Sequence, residues 1–142
     1  MSGEIAYLLD TNVLSETRKP KPDAGVLAFL KAADPSSVYL SVLTIGELRK
    51  GIAARRLRDP ALNAASHLAA WVDGLEGSFA ERILGIDVET ARLWGEWSGQ
   101  RPRPVIDTLL AATAVRHGLT LVTRNLRDVE GIDVKLLDPW TG

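Results

Sequence analysis

Five short apolar, β-prone runs recur along the chain with helix-like segments between them, and this alternation narrows the fold more than any other feature. The runs are Ile5–Leu9, Val38–Val42, Ile83–Ile86, Leu119–Thr123 and Val134–Leu137. The helix-like segments lie at roughly 24–33, 42–55, 60–80, 88–99 and 106–117. Unbroken apolar strands fit burial on both faces, so the pattern predicts an α/β fold with a parallel sheet covered on both sides by helices. At 142 residues, the chain has the length of one domain spanning 1–142.

Punctuation residues support the segmentation. Thr44 and Glu47 have capping-box spacing. His117-Gly118 reads as a helix end, and Asp59-Pro60 as the start of a new helix. Pro20, Pro22, Pro35, Pro102 and Pro104 fall between elements. The Ala-rich stretch 56–80, with Leu62, Leu68, Trp71, Val72 and Leu75, fits one long helix or two shorter ones.

Composition removes several function classes. There is no cysteine, which excludes disulfides, thiolate metal sites and a Cys nucleophile. No apolar run approaches the length of a membrane span, and the N-terminus lacks the pattern of a secretory signal, so a cytoplasmic location is expected. The net charge is −1, so any nucleic-acid contact must come from local basic clusters. No Walker loop, Gly-x-Gly-x-x-Gly or nucleophile elbow occurs, and His67 and His117 form no evident catalytic pair.

Ligands of open α/β sheets bind outside the carboxyl ends of the strands. The first run ends in Asp10-Thr11-Asn12, and the fourth in Thr123-Arg124-Asn125. Glu47 follows the second run, and Asp107 opens the helix before the fourth. If the first, second and fourth strands adjoin, these groups share one edge. Each acid also has a plain structural reading. Asp10 could cap a helix, Asp107 could answer a helix dipole, and Glu47 could sit on a solvated face. Against the last, Glu47 shares its helical side with Leu43, Gly51 and Ala54, opposite Ile45, Leu48 and Ile52. Three convergent carboxylates repel one another unless a hard divalent cation such as Mg²⁺ or Mn²⁺ joins them. Such an ion supports phosphodiester hydrolysis.

Four segments, in order, resemble the motifs of PIN-domain ribonucleases. They are Leu8-Leu9-Asp10-Thr11-Asn12-Val13-Leu14-Ser15-Glu16, Leu40 to Gly51 around Glu47, Ile106-Asp107-Thr108-Leu109-Leu110-Ala111-Ala112-Thr113-Ala114, and Leu119 to Asn125. The ending Leu137-Asp138-Pro139-Trp140 is similar to the tails of VapC/FitB-type toxins. The resemblance implies a three-layer α/β/α PIN-like domain with a central parallel sheet. It implies Mg²⁺- or Mn²⁺-dependent endoribonuclease activity on single-stranded or structured RNA. It also implies a homodimer and a cognate antitoxin that covers the active site. By the same resemblance Asp10 and Asp107 hold the metal, with Glu47 as third acid placing a ligand or water. Thr123 hydrogen-bonds within the site, Asn12 braces the Asp10 loop, and Thr11 and Asn125 stand around the acids or the substrate. Many members carry a fourth acid where this chain has Asn125. Asp128, three residues on, either substitutes or starts a turn.

Basic residues lie beside every acidic motif: Arg18, Lys19 and Lys21; Arg49, Lys50, Arg55, Arg56 and Arg58; Arg101 and Arg103; Arg124 and Arg127. Arg49, Lys50, Arg101, Arg103 and Arg124 are the expected RNA contacts, against the alternative of a solvated charged surface. Trp94 and Trp97 share a helical stretch, a spacing that favours packing over base stacking. Trp140 is expected to cover a sheet edge or a partner. Three rival readings fit parts of the pattern. A haloacid-dehalogenase-like phosphatase would want an acid where Asn12 stands, and a receiver module would want a lysine after a late strand. The third is a non-catalytic cation-binding interaction domain.

Overall fold

The computed structural model describes residues 4–61 and 63–141, so Leu62 lies outside the described residues. Five parallel strands stand in the order β3-β2-β1-β4-β5: β1 Tyr7–Leu9, β2 Val38–Ser41, β3 Ile83–Leu84, β4 Thr120–Val122 and β5 Leu136–Leu137. The helices are α1 Thr11–Glu16, α2 Ala24–Ala32, α3 Val42–Arg58, α4 Ala64–Ser78, α5 Val88–Gln100 and α6 Val105–His117. All five expected strands form, each trimmed to its paired residues. The chain winds outward from β1 to β2 and β3, then returns to lay β4 on the other side of β1. That reversal opens a crevice at the carboxyl end of β1 and β4.

Successive strand residues face opposite sides of the sheet, and the core divides accordingly. Leu9, Leu40 and Val122 pack with Val13 and Leu14 of α1, Val26 of α2, Leu48 and Ile52 of α3 and Val72 of α4. Leu8 and Leu121 pack on the other face with Leu110, Ala111 and Ala114 of α6. The result is the expected α/β/α sandwich. Trp97 packs against this second cluster, consistent with a packing role, while the Trp94 indole nitrogen is buried without a partner among the described residues.

Three local expectations are corrected. Thr44 caps nothing: it is buried inside α3, whose cap is Ser41, with Oγ accepting from the Leu43 N–H at 3.0 Å. Asp59 ends α3 rather than starting a helix, and α4 begins at Ala64 after Asn63. The stretch 56–80 is thus the last turn of one helix, a turn and a second helix. The short α1 was absent from the sequence segmentation. By contrast, Gly118 ends α6 as expected: its φ of 68° is left-handed, and Leu119 N–H bonds back to Ala114 O at 2.8 Å.

The C-terminal tail is strapped across the start of α2. Thr141 Oγ1 donates to Asp23 Oδ1 at 2.6 Å, while Asp23 Oδ2 accepts from Val26 N–H at 3.0 Å. The tail passes so close to Gly25 that a Cβ there would stand 2.2 Å from Pro139 O.

Candidate active site at the carboxyl edge of the sheet

Leu9 and Val122 are register partners, so the next residues, Asp10 and Thr123, leave the sheet side by side. Asp10 N–H bonds Val122 O at 2.9 Å, and Thr123 Oγ1 donates to Asp10 Oδ2 at 2.7 Å. The Asn125 N–H donates to Thr123 Oγ1 at 3.0 Å, which occupies a lone pair and leaves the hydroxyl proton for Asp10. Asp10 and Thr123 are 4% and 2% exposed. Burial pushes the Asp10 carboxyl above its ordinary pKa. Thr123 and the N–H groups of Thr11 and Asn12 pull it back down, and the Glu47 charge adds to the rise. Asp10 occupies the N-cap position of α1, yet its side chain makes no capping hydrogen bond. The Asn12 side chain is exposed and has no hydrogen-bond partner among the described residues, so any bracing by Asn12 comes from its backbone.

Glu47 lies in the second turn of α3. Thr11 Oγ1 donates to Glu47 Oε1 at 2.6 Å and stands 3.2 Å from the buried Thr44 Oγ1. The first residue of α1 therefore ties the Glu47 carboxylate to the edge where Asp10 emerges. The face expected for Glu47 is the one found: it borders an apolar cavity with Leu43, Gly46, Lys50, Gly51, Ala54 and Ile106.

Asp107 sits in the first turn of α6, where Pro104 holds the N-cap position and no side chain caps the helix. Its pKa is raised to about 6, first by burial, then by the Asp10 and Asp128 charges, contact with the Asp128 carboxyl, and the Glu47 charge. Asp128 reaches this point from a 3-10 turn, Leu126–Val129, just beyond β4. Four acids from four segments thus act on one another. Among the described residues, no three of them are drawn tightly enough to hold one ion without side-chain movement. The donor set fits a hard divalent cation nonetheless. It is all oxygen, and no cation features among the influences on Asp10 or Asp107, so their repulsion stands uncompensated.

The basic residues divide. Arg49 is turned away from the acids and ion-paired to Asp73, at 2.6 Å, and to Glu76, both on α4. It clamps α4 to α3, so its charge is already met by two carboxylates. Arg101 and Arg103 both donate to Glu130 O, at 2.8 and 3.0 Å, and so tie the approach to α6 to the segment after the Asp128 turn. Arg124 lies over the Trp140 ring, 4.8 Å from its centroid, and Trp140 packs against the core as a cover. Lys50 is exposed beside Glu47. Arg18 and Arg55, absent from the expected RNA contacts, line a cavity that reaches Thr11 and Glu47. The sequence places both in basic clusters beside acidic motifs, but their shared cavity becomes visible only in the packed helices.

Comparison with known proteins agrees with this architecture. The PIN domain matches residues 7–132. The chain is 34% identical to the VapC ribonuclease Y4jK of Sinorhizobium fredii, an alignment covering 94% of this chain and 96% of that protein. It is also 34% identical to the toxin FitB of Neisseria gonorrhoeae, covering 94% and 97%. Among solved structures, FitAB bound to an IR36 DNA fragment superposes with a TM-score of 0.81 at 32% identity, covering 94% of this chain and 95% of that one. FitAcB from Neisseria gonorrhoeae gives 0.79 at 32% identity, covering 96% and 99%. With a full-length match in sequence and fold, the chain belongs to the PIN-domain family, among the VapC- and FitB-type toxins.

Proposed function

We propose that this protein is a divalent-metal-dependent endoribonuclease, the toxin of a toxin–antitoxin pair, with Asp10, Glu47 and Asp107 as its essential acids. The observation that carries this reading is the convergence of Asp10, Glu47, Asp107 and Asp128 from four segments on the crevice beside β1, with Asp10 held by Thr123 and Glu47 by Thr11. Such a cluster favours a cation where a phosphodiester can enter. Its relatives include proteins described as a VapC ribonuclease and as the toxin FitB.

Asp10 and Asp107 would hold Mg²⁺ or Mn²⁺, with Glu47 as third acid and Asp128 supplying the further carboxylate that Asn125 does not. When bound, the ion lowers the pKa of water and offsets charge on the phosphate. Thr123 keeps Asp10 oriented and favours its ionised form against the effect of burial. Thr11 occupies one oxygen of Glu47, and the other is left to orient the attacking water. Water adds to phosphorus, a P–O ester bond breaks, and the two products carry a hydroxyl and a phosphomonoester. No covalent enzyme intermediate is needed.

The same pocket suits the side chain of a partner. An arginine fork pairs bidentately with carboxylates, so a cognate antitoxin inserting a basic residue would neutralise the acids and exclude substrate. The solved neighbours of this chain include a FitAB complex. We take the active form to be a homodimer.

A mixed RNA pool incubated with Mg²⁺ or Mn²⁺ tests the activity. Cleavage is expected with either ion, stopped by EDTA, and reduced roughly a hundredfold or more in Asp10→Asn, the scale of lost transition-state electrostatics. Cleavage that persists in EDTA, or in Asp10→Asn, overturns the reading.

A further inference from the structure

A second cavity, of about 350 Å³, opens beside the acids between α1, α3 and α4. Thr11 and Glu47, already joined by a hydrogen bond, form the wall nearest the acids. Leu48 and Leu68 give apolar surface, and Ser15, Arg18, Arg55 and Trp71 complete the lining. The Arg18 guanidinium lies 5.1 Å from the centroid of the Trp71 ring. Among the described residues neither Arg18 nor Arg55 meets a carboxylate, whereas the neighbouring Arg49 is fully engaged with Asp73 and Glu76.

We propose that this cavity is a substrate subsite that takes the nucleotide next to the scissile phosphate, with its phosphate on Arg18 and Arg55. The proposal rests on the nuclease reading above. Its chemistry is specific. Two guanidiniums that make no ion pair among the described residues suit phosphate oxygens, which Arg pairs in a planar fork. Trp71 holds Arg18 by a cation–π contact, so less freedom is lost when a phosphate arrives. The exposed guanidinium plane and the apolar floor accept a base or ribose, as single-stranded RNA is commonly held. Glu47 on the shared wall means that a strand with one phosphate at the acids passes its next nucleotide into this space.

Trp71 belongs to α4, and Arg49 fixes α4 against α3 through its two ion pairs. Arg49 is therefore a positioning residue for the subsite rather than an RNA contact. The charge of the cavity also distinguishes its occupant. The basic antitoxin segment suited to the acids would be repelled by Arg18 and Arg55, whereas RNA would be attracted.

The test is binding of a fluorescein-labelled single-stranded RNA ten-mer to the full chain in EDTA, measured by anisotropy over a range of salt. Arg18→Gln and Arg55→Gln should each weaken binding about tenfold, the scale of one charge-assisted hydrogen bond. Each should also flatten the log Kd against log salt slope by about 0.7, one phosphate contact on a single strand. Trp71→Ala should reproduce the Arg18→Gln loss, Trp71→Phe should retain binding, and Trp71→Ala added to Arg18→Gln should weaken it little further. If Trp71→Ala does not fold, Arg18→Gln and Arg55→Gln, both at exposed positions, decide alone. Unchanged affinity and slope in those two variants overturns the proposal, as does absence of RNA binding by the unmodified chain. Loss of antitoxin binding with RNA binding intact assigns the cavity to the protein partner and also overturns it. Adding Mn²⁺ to the same samples reads cleavage separately. RNA held through Arg18 and Arg55 while a mixed RNA pool is also left uncut would overturn the nuclease reading, and with it the placement next to a scissile phosphate, leaving an RNA-binding cavity.

Discussion

Thr123 Oγ1 stands 2.7 Å from Asp10 Oδ2, a hydrogen bond between two buried residues 113 positions apart. It exists because β1 and β4 are parallel neighbours in register, and it counters the burial that raises the Asp10 pKa. Thr123→Val should leave that carboxylate short of a donor, at about 1–3 kcal/mol. The Asp10 pKa should rise further, so the acid limb of the activity–pH profile should move to higher pH. Thr123→Ser should keep the original profile. An unchanged profile in Thr123→Val would show that Asp10 ionisation does not limit activity.

Asp107 makes a signed prediction about stability. Its folded-state pKa of about 6 lies above the ordinary value of 3.8, so between these pH values the folded state binds more protons than the unfolded one. The metal-free protein should therefore lose stability as pH rises through this window. Asp107→Asn should remove that loss, gaining about 1–2 kcal/mol at pH 7 after allowance for solvent screening. The same variant should forfeit stabilisation by Mg²⁺. Thermal melts at pH 4 and pH 7, with and without the ion, measure both effects. An unfolded Asp107→Asn protein would mean that the acid serves α6 instead.

Asp128 and Asn125 separate cleanly. Asp128 raises Asp107 through its charge and contact, whereas Asn125 contributes a backbone N–H to Thr123. Asp128→Asn should lower the Asp107 pKa and weaken Mn²⁺ binding, since a negative charge leaves the cluster. Asn125→Ala should change the affinity little, because that backbone N–H remains. The opposite ranking in Mn²⁺ titrations would make Asn125 the residue that matters.

Gly25 is required by the C-terminal strap. An added Cβ would stand 2.2 Å from Pro139 O and 2.7 Å from Thr141 Cγ2. Gly25→Ala should therefore cost about 1–3 kcal/mol, the range for overpacking. The urea midpoint should fall with the m-value unchanged. A midpoint equal to that of the unmodified protein would mean that the tail is not strapped in solution.

The parts of this fold legible in the sequence are those governed by local periodicity and strand ends. Unbroken apolar runs marked all five strands, and His117-Gly118 marked the end of α6, because only those residues meet the local backbone demand. Asp10, Glu47 and Asp107 stood out for their places at strand ends and helix starts. Thr44 fits the capping-box spacing but not the role, because α3 already begins at Val42 with Ser41 as its cap, which leaves Thr44 buried in the first turn. The ion pairs of Arg49 were illegible because its partners Asp73 and Glu76 lie on the next helix. The influence of Asp128 on Asp107 was open for want of a turn geometry. Arg18 and Arg55 already lay beside acidic motifs in the sequence, but their convergence on one cavity with Trp71 needed the packing of the helices.

Calorimetric titration of Mn²⁺ into the unmodified, metal-free protein and into Asp107→Asn tests the central claim most directly, that these acids form one divalent-cation centre. The account predicts one ion per chain in the unmodified protein and no measurable binding in a folded Asp107→Asn variant. A folded Asp107→Asn protein that binds Mn²⁺ as tightly as the unmodified chain, or an unmodified chain that binds none, would contradict it.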